Sequence, residues 1–372
     1  MEVLGIISAF VLSGALSFLL SLLFLKQSSI NKNFNQHVGI NKTEKKIPRV
    51  GGTAIVLSMV ISLLAARIVF SPLFKDIDEK ASYSLFFFAV FIVFILGVYD
   101  DLKGADALKK FFFQVVAAIL IYFGGFKIAE ISIPFIGTKS LGFYFLSFLL
   151  TVLWVVGITN AVNIMDGLDG LAVGVSFFAA ISLGVLALLS SQFHIVAIIA
   201  VLLGAMIGFY PFNFPKAKIY LGDSGSMVIG FILAVVSMAK IHRKVSLALA
   251  LLIPIVILFL PILETLVTVV RRVYRRQNIF IGDTDHFHYR FLKKGFSETK
   301  ATLLLILISF ISSTVGVLFN FVQTRLRLVL FVLICLIGFF LLHYLGYYNL
   351  FSRKKDRYPS DEKGGKTRIK HP

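Results

Sequence analysis

Two carboxylates and two carboxamides fall within the thirteen residues Asn160-Ala-Val-Asn163-Ile-Met-Asp166-Gly-Leu-Asp169-Gly170-Leu-Ala, between two strongly apolar runs. Polar groups at a membrane boundary are costly unless they face protein, water or an ion. Asn160 and Asn163 are three apart, as are Asp166 and Asp169, so on a helix each pair would share a face. Gly167 and Gly170 would admit a close backbone or ligand. Taken alone, the stretch has a plainer, lesser reading as a polar turn between two membrane helices. Three other acidic clusters change that weight: Asp100-Asp101, Gly222-Asp223-Ser-Gly-Ser226, and Asp283-Thr-Asp285-His286-Phe-His288. Carboxylates so placed could serve as bases or hold a divalent ion.

Each cluster also has a plainer reading. Adjacent side chains diverge by roughly 100° on a helix, so Asp100 and Asp101 need not act together; one could be buried and the other aimed at a ligand. Asp223 could be a helix N-cap, or its helix start could bind an anion. The Gly-Asp-Ser-Gly string is similar to the nucleophile segment of trypsin-like proteases, but those enzymes are all-β and here the string opens an apolar run. His286 and His288 would share a face only in an extended segment. Two histidines without cysteine make a poor zinc site, and their neighbours Arg290, Lys293 and Lys294 suit an anionic ligand better. Arg271, Arg272, Arg275 and Arg276 read mainly as a topology signal. Glu264, inside an apolar run, is expected to pair with an arginine. Pro48-Arg49-Val-Gly51-Gly52 reads as a turn before a helix, with Gly51-Gly52 allowing close packing and Arg49 reaching the interface.

The elements that must position these groups are membrane helices. Apolar residues make up 58% of the chain and charged residues 15%, against roughly 25% charged in soluble domains; the mean hydropathy is +0.90. Apolar runs near the ~20 residues that span a bilayer recur throughout. The fold class expected is an all-α polytopic membrane protein with about eleven spans, near 3–25, 50–70, 82–99, 111–125, 141–159, 170–190, 193–210, 225–239, 246–270, 302–321 and 326–348. The alternating short segments of a membrane barrel are absent. Residues 1–348 then form one catalytic bundle, and 349–372 a basic, disordered tail. The start Met1-Glu2 lacks a basic n-region, so the first span is expected to be retained rather than cleaved.

The formal net charge of +18 would suggest nucleic acid in a soluble protein. Here Lys and Arg cluster in alternate loops, as the positive-inside bias requires, so no nucleic-acid partner is expected. Loop 26–50 carries six basic residues, whereas the next carries only Lys75 and Lys80 against Asp76, Asp78 and Glu79. The N-terminus is therefore expected outside. All four acidic clusters and the tail then fall on the cytoplasmic face. The basic surplus also suits anionic headgroups and phosphate-bearing substrates. The single cysteine, Cys335, excludes an intrachain disulfide and a cysteine metal site. Carboxylates that hold Mg²⁺ while leaving room for substrate phosphates, with basic groups nearby, point to phosphate chemistry where water meets lipid.

With these motifs in view, the chain resembles the polyprenyl-phosphate N-acetylhexosamine-1-phosphate transferases (glycosyltransferase family 4). The Asn-Ala-Val-Asn-x-x-Asp-Gly-x-Asp-Gly-Leu string is specific, and the Asp-Asp and Gly-Asp-Ser-Gly-Ser strings fall in the family's order. The superfamily includes enzymes that start O-antigen, enterobacterial common antigen and wall teichoic acid synthesis, and the muramoyl-pentapeptide transferase of peptidoglycan synthesis. The resemblance implies transfer of a sugar 1-phosphate, GlcNAc-1-phosphate foremost, from UDP-N-acetylhexosamine to undecaprenyl phosphate, with UMP released. It implies Mg²⁺ or Mn²⁺, an active site on the cytoplasmic face of the bacterial cytoplasmic membrane, membrane lipids as surroundings, and a homodimer as the candidate assembly.

By the same resemblance, Asp223 is a metal ligand and Asn163 contributes to that site. Asp100, Asp101, Asp166 and Asp169 form the catalytic set, with Asp100 facing the lipid phosphate. Asn160, Arg49, Asp283, His286, His288 and Arg290 bind substrate. Thr284 stands where the family pattern has a basic residue, and Tyr289 where it has a last histidine. Pro48-Arg-Val-Gly-Gly52 and the lack of a triple histidine favour the amino-sugar branch, with muramoyl-pentapeptide transfer as runner-up. Two readings of other kinds are an ion-coupled transporter and a lipid-binding scaffold. The first would favour midplane sites and repeats; the intact aspartate set argues against the second. Direct attack by the lipid phosphate and a covalent aspartyl-phosphate route both fit the residues.

Overall fold

A computed structural model describes residues 2–30, 47–69, 80–128, 130–133, 137–140, 144–239, 252–277 and 285–347. Asp283, Thr284 and the basic tail lie outside these residues. The chain runs through α1 (Glu2–Ile30), α2 (Gly51–Val69), α3 (Lys80–Lys103), α4 (Ala107–Phe123), β1 (Glu130–Ile133), β2 (Gly137–Ser140), α5 (Tyr144–Ile164), α6 (Leu171–Leu189), α7 (Phe193–Asn213), α8 (Gly222–Met238), α9 (Leu252–Ile257), α10 (Phe259–Tyr274), α11 (Phe287–Lys293), α12 (Glu298–Leu318) and α13 (Thr324–Tyr344). Among the described residues, eight helices are long and apolar enough to cross a membrane: α1, α2, α3, α5, α6, α7, α12 and α13. With no water in a bilayer core, each backbone group must be satisfied within its own helix. The architecture is that of a multi-pass helical membrane protein.

Two local features, a broken span and a hairpin, depart from the sequence expectations, and the short α4 accords with its short apolar run. The expected ninth span is broken at Leu258 into α9 and α10. Pro261 accounts for the break: it donates no hydrogen bond, and its ring would strike the Ile257 carbonyl in a continuous helix. Helix α4 has 17 residues, short of the usual span. Between α4 and α5 lies an antiparallel hairpin pairing Glu130 with Ser140 and Ile133 with Gly137, whose four-residue strands are too short to show a period of two.

Helix α8 is the centre of the bundle. Every residue from Ser224 to Ser237 is buried, enclosed by α2, α3, α5 and α6. Burial all round is what an apolar helix with no polar stripe requires. Small residues allow the close contacts. A Cβ on Gly52 would overlap the backbone of Gly225, and one on Gly97 the backbone of Ser224. Elsewhere α1 lies against α7, where Ser13 and Ser17 hydroxyls donate to the Val201 and Ala205 carbonyls at 2.7 and 2.8 Å. Such small-residue seams let membrane helices gain packing energy without a hydrophobic drive between them.

Candidate active site

Those of the singled-out acidic and amide residues that are described meet at one end of the bundle, where α3 and α5 end and α2, α4, α6 and α8 begin. Asp100 and Asp101 occupy the last turn of α3 and divide their work. Asp101 is 8% exposed, and its two oxygens accept the backbone N–H groups of Asp223 at 2.9 Å and Ser224 at 3.0 Å. The start of α8 is thus capped from α3. Neither Asp223 nor Ser224 caps its own helix: the N-cap position is Leu221, which has no side-chain cap bond. Gly222 makes the arrangement feasible. Its φ is +74°, and a Cβ there would lie 2.6 to 2.9 Å from the Asp101 carboxylate.

Asp100 faces the other way. It accepts the Ala105 N–H at 2.6 Å and the Lys110 ammonium at 2.7 Å. Lys110, in the first turn of α4, also donates to Asp223. One ammonium therefore bridges carboxylates from α3 and α8, with all three side chains mostly shielded from solvent. Lys110 was not singled out in the sequence. It follows Lys109, which pairs locally with Asp106 at 3.3 Å, and nothing in the run Lys109-Lys110 tells the buried lysine from the solvated one.

Asn160 and Asn163 do share a face on the last turns of α5. Asn163 donates to Ser226 Oγ at 2.9 Å and adjoins the Asp223 carboxylate. Asn160 donates to Gln114 Oε1 at 2.7 Å and to the Val156 carbonyl at 2.8 Å. Gln114, buried on α4 at 1% exposure, is a second residue that the sequence left unmarked. Asp166 and Asp169 lie beyond the helix, in the turn before α6, and do not act as a pair. Asp169 accepts the Ala217 N–H at 2.8 Å, which ties the turn to the segment after α7. The Asp166 carboxylate accepts no hydrogen bond among the described residues. Burial, with the nearby charges of Asp223 and Asp101, pushes it well above the usual carboxylate range, opposed by Arg49. Exposed Arg49 is thus the cation facing this turn. Its segment is held by pairing with the strand-like run before α8: Tyr220 N–H to Pro48 O at 2.9 Å and Gly51 N–H to Tyr220 O at 3.0 Å.

The histidine segment packs over the same turn. His286 is the N-cap residue of α11, with an extended backbone, and His288 is the second residue of that helix. Their rings nonetheless stack, with centroids 5.6 Å apart and 20° between planes, because the helix begins between them. His288 is 2% exposed and its Nε2 has no hydrogen-bond partner. Burial, and then the neighbouring His286, lower its pKa to about 3, so the ring is neutral. The imidazole rests on Gly167, where a Cβ would overlap it. Gly167 is therefore needed for the two segments to touch.

Among the described residues Glu264 pairs with a histidine and a backbone N–H, not with an arginine. It is 1% exposed, meets His286 Nδ1 at 2.9 Å and accepts the Phe287 N–H at 3.1 and 3.2 Å, so it anchors the start of α11. Arg271, read in the sequence as topology signal, is buried against Asp285 at 3.0 Å. Arg290, expected to bind substrate, is committed elsewhere. It grips Asp285 at 2.6 and 2.7 Å, donates to Leu345 O at 3.0 Å and covers the Tyr347 ring at 3.6 Å. Burial alone would raise the Asp285 pKa, but Arg290 and Arg271 hold it below the usual range. This buried network fixes the histidine segment to the end of α13.

A cluster of carboxylates, carboxamides and one bridging ammonium at the end of a helix bundle can bind a cation and grip phosphate oxygens. That defines a membrane enzyme of charged-group transfer more readily than a passive lipid-binding bundle. Comparison with known proteins narrows the class. Residues 83–241 match the model of glycosyl transferase family 4. The probable undecaprenyl-phosphate N-acetylglucosaminyl 1-phosphate transferase of Bacillus subtilis (strain 168) is 35% identical over 296 residues, covering 80% of this chain and 79% of that one. The decaprenyl-phosphate N-acetylglucosaminephosphotransferase of Mycobacterium tuberculosis (strain ATCC 25618 / H37Rv) is 34% identical over 280 residues, 70% of this chain and 69% of that one. A phospho-N-acetylmuramoyl-pentapeptide-transferase of Streptococcus pyogenes serotype M3 is 36% identical over 203 residues, 52% of this chain and 59% of that one. The chain belongs to glycosyl transferase family 4, among the polyprenyl-phosphate sugar phosphotransferases.

Proposed function

We propose that this protein transfers N-acetylglucosamine 1-phosphate from its UDP-sugar to undecaprenyl phosphate, giving the undecaprenyl-diphosphate sugar and UMP. One observation carries the reading: Asp100, Lys110, Asp223 and Asn163, from four helices, converge at one end of the bundle. The relatives support N-acetylglucosamine, since similarity to the two N-acetylglucosaminyl transferases extends over 80% and 70% of the chain and to the muramoyl-pentapeptide transferase over 52%.

An oxygen of the acceptor phosphate attacks the β-phosphorus of the donor, the bond from that phosphorus to the bridging oxygen breaks, and UMP leaves with the electron pair. Lys110 places one positive charge where the diphosphate negative charge would gather. Both Asp100 oxygens are engaged, by Ala105 N–H and Lys110, which favours a positioning role and direct attack over a covalent aspartyl phosphate. Asp101 fixes the start of α8 and so the place of Asp223. Asp166 and the Arg49 guanidinium present one carboxyl group and one fixed cation to the donor side.

The donor set also fits a divalent cation. Asp223 and Asn163 are hard oxygen ligands, and the Lys110 ammonium already sits where two carboxylates concentrate negative charge. Among the described residues no three His, Cys, Asp or Glu side chains form a ready-made cage, which accords with the habit of Mg²⁺ of taking one or two carboxylates plus substrate phosphates. When bound, Mg²⁺ or Mn²⁺ supplies charge neutralisation on the diphosphate and leaving group. The finer topology belongs to the same reading: eleven crossings, an outer N-terminus and a cytoplasmic site in the bacterial cytoplasmic membrane. So do the homodimer and a role in starting a cell-envelope polysaccharide.

The test is UMP release by purified protein in detergent, with undecaprenyl phosphate, Mg²⁺ and a panel of UDP-sugars. Lipid-dependent release with UDP-GlcNAc, abolished by Asp223→Ala and by EDTA, is expected. Release with a muramoyl-pentapeptide donor instead would move the protein to the other branch. No release from folded protein with any donor would refute the reading.

A further inference from the structure

At the other end of the bundle from the acidic site, a cavity of about 590 Å³ opens between α2, α3 and α7. Its walls are two facing apolar stripes at helical spacing. Val60 and Leu64 lead to Arg67 on α2, and Phe87 and Phe91 stand opposite on α3. His194, at the start of α7, closes the mouth with its ring against Tyr83 at 5.6 Å. Arg67 is exposed and makes no hydrogen bond or ion pair among the described residues. On α2 the lining runs from Val56 to Arg67, eleven residues or about 16 Å of helix. That is about half of the ~30 Å hydrocarbon core, the depth of a single leaflet.

A groove one leaflet deep, apolar along its length and cationic at its mouth, matches one class of molecule. We propose that it holds an anionic phospholipid, with one acyl chain between the α2 and α3 stripes and the phosphate on Arg67. The charge complementarity selects a lipid of net negative charge over a zwitterionic one, since the mouth offers a cation without a facing carboxylate among the lining residues. The site is separate from the acidic cluster. Gly51, at the site end of α2, is sixteen residues from Arg67, about 24 Å along the helix.

The experiment is native mass spectrometry of the purified full chain in detergent, titrated with phosphatidylglycerol or with phosphatidylcholine of the same acyl chains. Wild-type protein is expected to retain one phosphatidylglycerol at least about tenfold more tightly than phosphatidylcholine. Arg67→Gln should erase that preference and Arg67→Lys should keep it. Val60→Trp, which fills the groove, should weaken both lipids. Glycerol phosphate, which carries the headgroup charge without chains, should not compete. Equal retention of the two lipids by wild-type protein, an Arg67→Gln variant that still prefers phosphatidylglycerol, or displacement by glycerol phosphate would each overturn the proposal. Size-exclusion profiles and circular dichroism of every variant separate lost binding from lost fold.

Discussion

Asp101 is the residue on which the geometry of the site most directly depends, and Asp101→Ala tests that dependence. The carboxylate is buried and takes two backbone N–H groups at the start of α8, at 2.9 and 3.0 Å. Losing an N-cap costs about 0.5–2 kcal/mol, and hydrogen bonds to a charged group contribute about 1.5–3 kcal/mol each. Alanine leaves both N–H groups without their acceptor in a site water reaches only partly, so a stability loss of about 2–3 kcal/mol is expected. The larger effect is on turnover. Asp223, whose own N–H is one of the two capped, loses its fixed position, and a misplacement near 1 Å can cost about 10²-fold in rate. UMP release should therefore fall by about two orders of magnitude in kcat, with a lowered thermal midpoint. Asp101→Asn keeps one acceptor but sets an NH₂ against a second N–H donor, so it should fall between wild type and alanine in stability. Gly222→Ala strains the same turn, because a Cβ there would press on the carboxylate. The two changes should be strongly non-additive in a double-mutant cycle. If Asp101→Ala keeps wild-type kcat and midpoint while Asp223→Ala abolishes release, the capping argument is wrong.

Three further outcomes follow from the histidine segment. Gly167→Ala should cut activity tenfold or more with little change in expression or membrane insertion, since the new methyl displaces His288 from the turn that carries Asp166; unchanged kinetics would contradict the contact. Because burial lowers the His288 pKa from its ordinary 6.5 to about 3, the unfolded chain binds a proton that the folded chain refuses. The stability tied to the neutral ring is present above pH 6.5 and is lost as pH falls towards 3, by up to about 1.4 kcal/mol per pH unit. Wild-type protein should thus lose more stability than His288→Gln between pH 6.5 and 5, by about 2 kcal/mol in a denaturation midpoint comparison; parallel profiles would show the ring titrates normally. Arg290→Lys keeps the charge but not the fork on Asp285 or the bond to Leu345 O. It should destabilise the end of α13, seen as faster proteolysis after that helix, and weaken turnover more than donor affinity, because Arg290 holds the segment rather than the substrate.

What the sequence made legible was decided by the kind of physics involved. Hydrophobic length is a local property, so the expected spans fall on helices among the described residues, eight of them long and apolar enough to cross a membrane, and the one that breaks does so at a proline whose steric effect is also local. The acidic motifs were recognisable because carboxylates next to apolar runs are costly and therefore stand out. Their meeting at one end of the bundle follows from helix directions, which the spacing of spans already implies. The division of labour inside each motif was not legible. Asp100 and Asp101 are chemically identical neighbours, and only the approach of α8 assigns capping to one and the ammonium to the other. Lys110 beside Lys109, and Gln114 within an apolar stretch, carry no local mark of their partners, because those partners come from sequence positions 10 to 113 residues away. Arg290 shows how little charge alone reveals of a partner. Its basic surroundings suggested an anionic ligand, but its anion is Asp285, five residues before it, and its second partner is a carbonyl 55 residues after it. Charge alone says that a cation needs an anion; whether protein or substrate supplies it is settled by packing. At this site the protein supplies it for Arg290 and Arg271. Arg49, by contrast, stays exposed beside the turn whose Asp166 is raised well above its usual range.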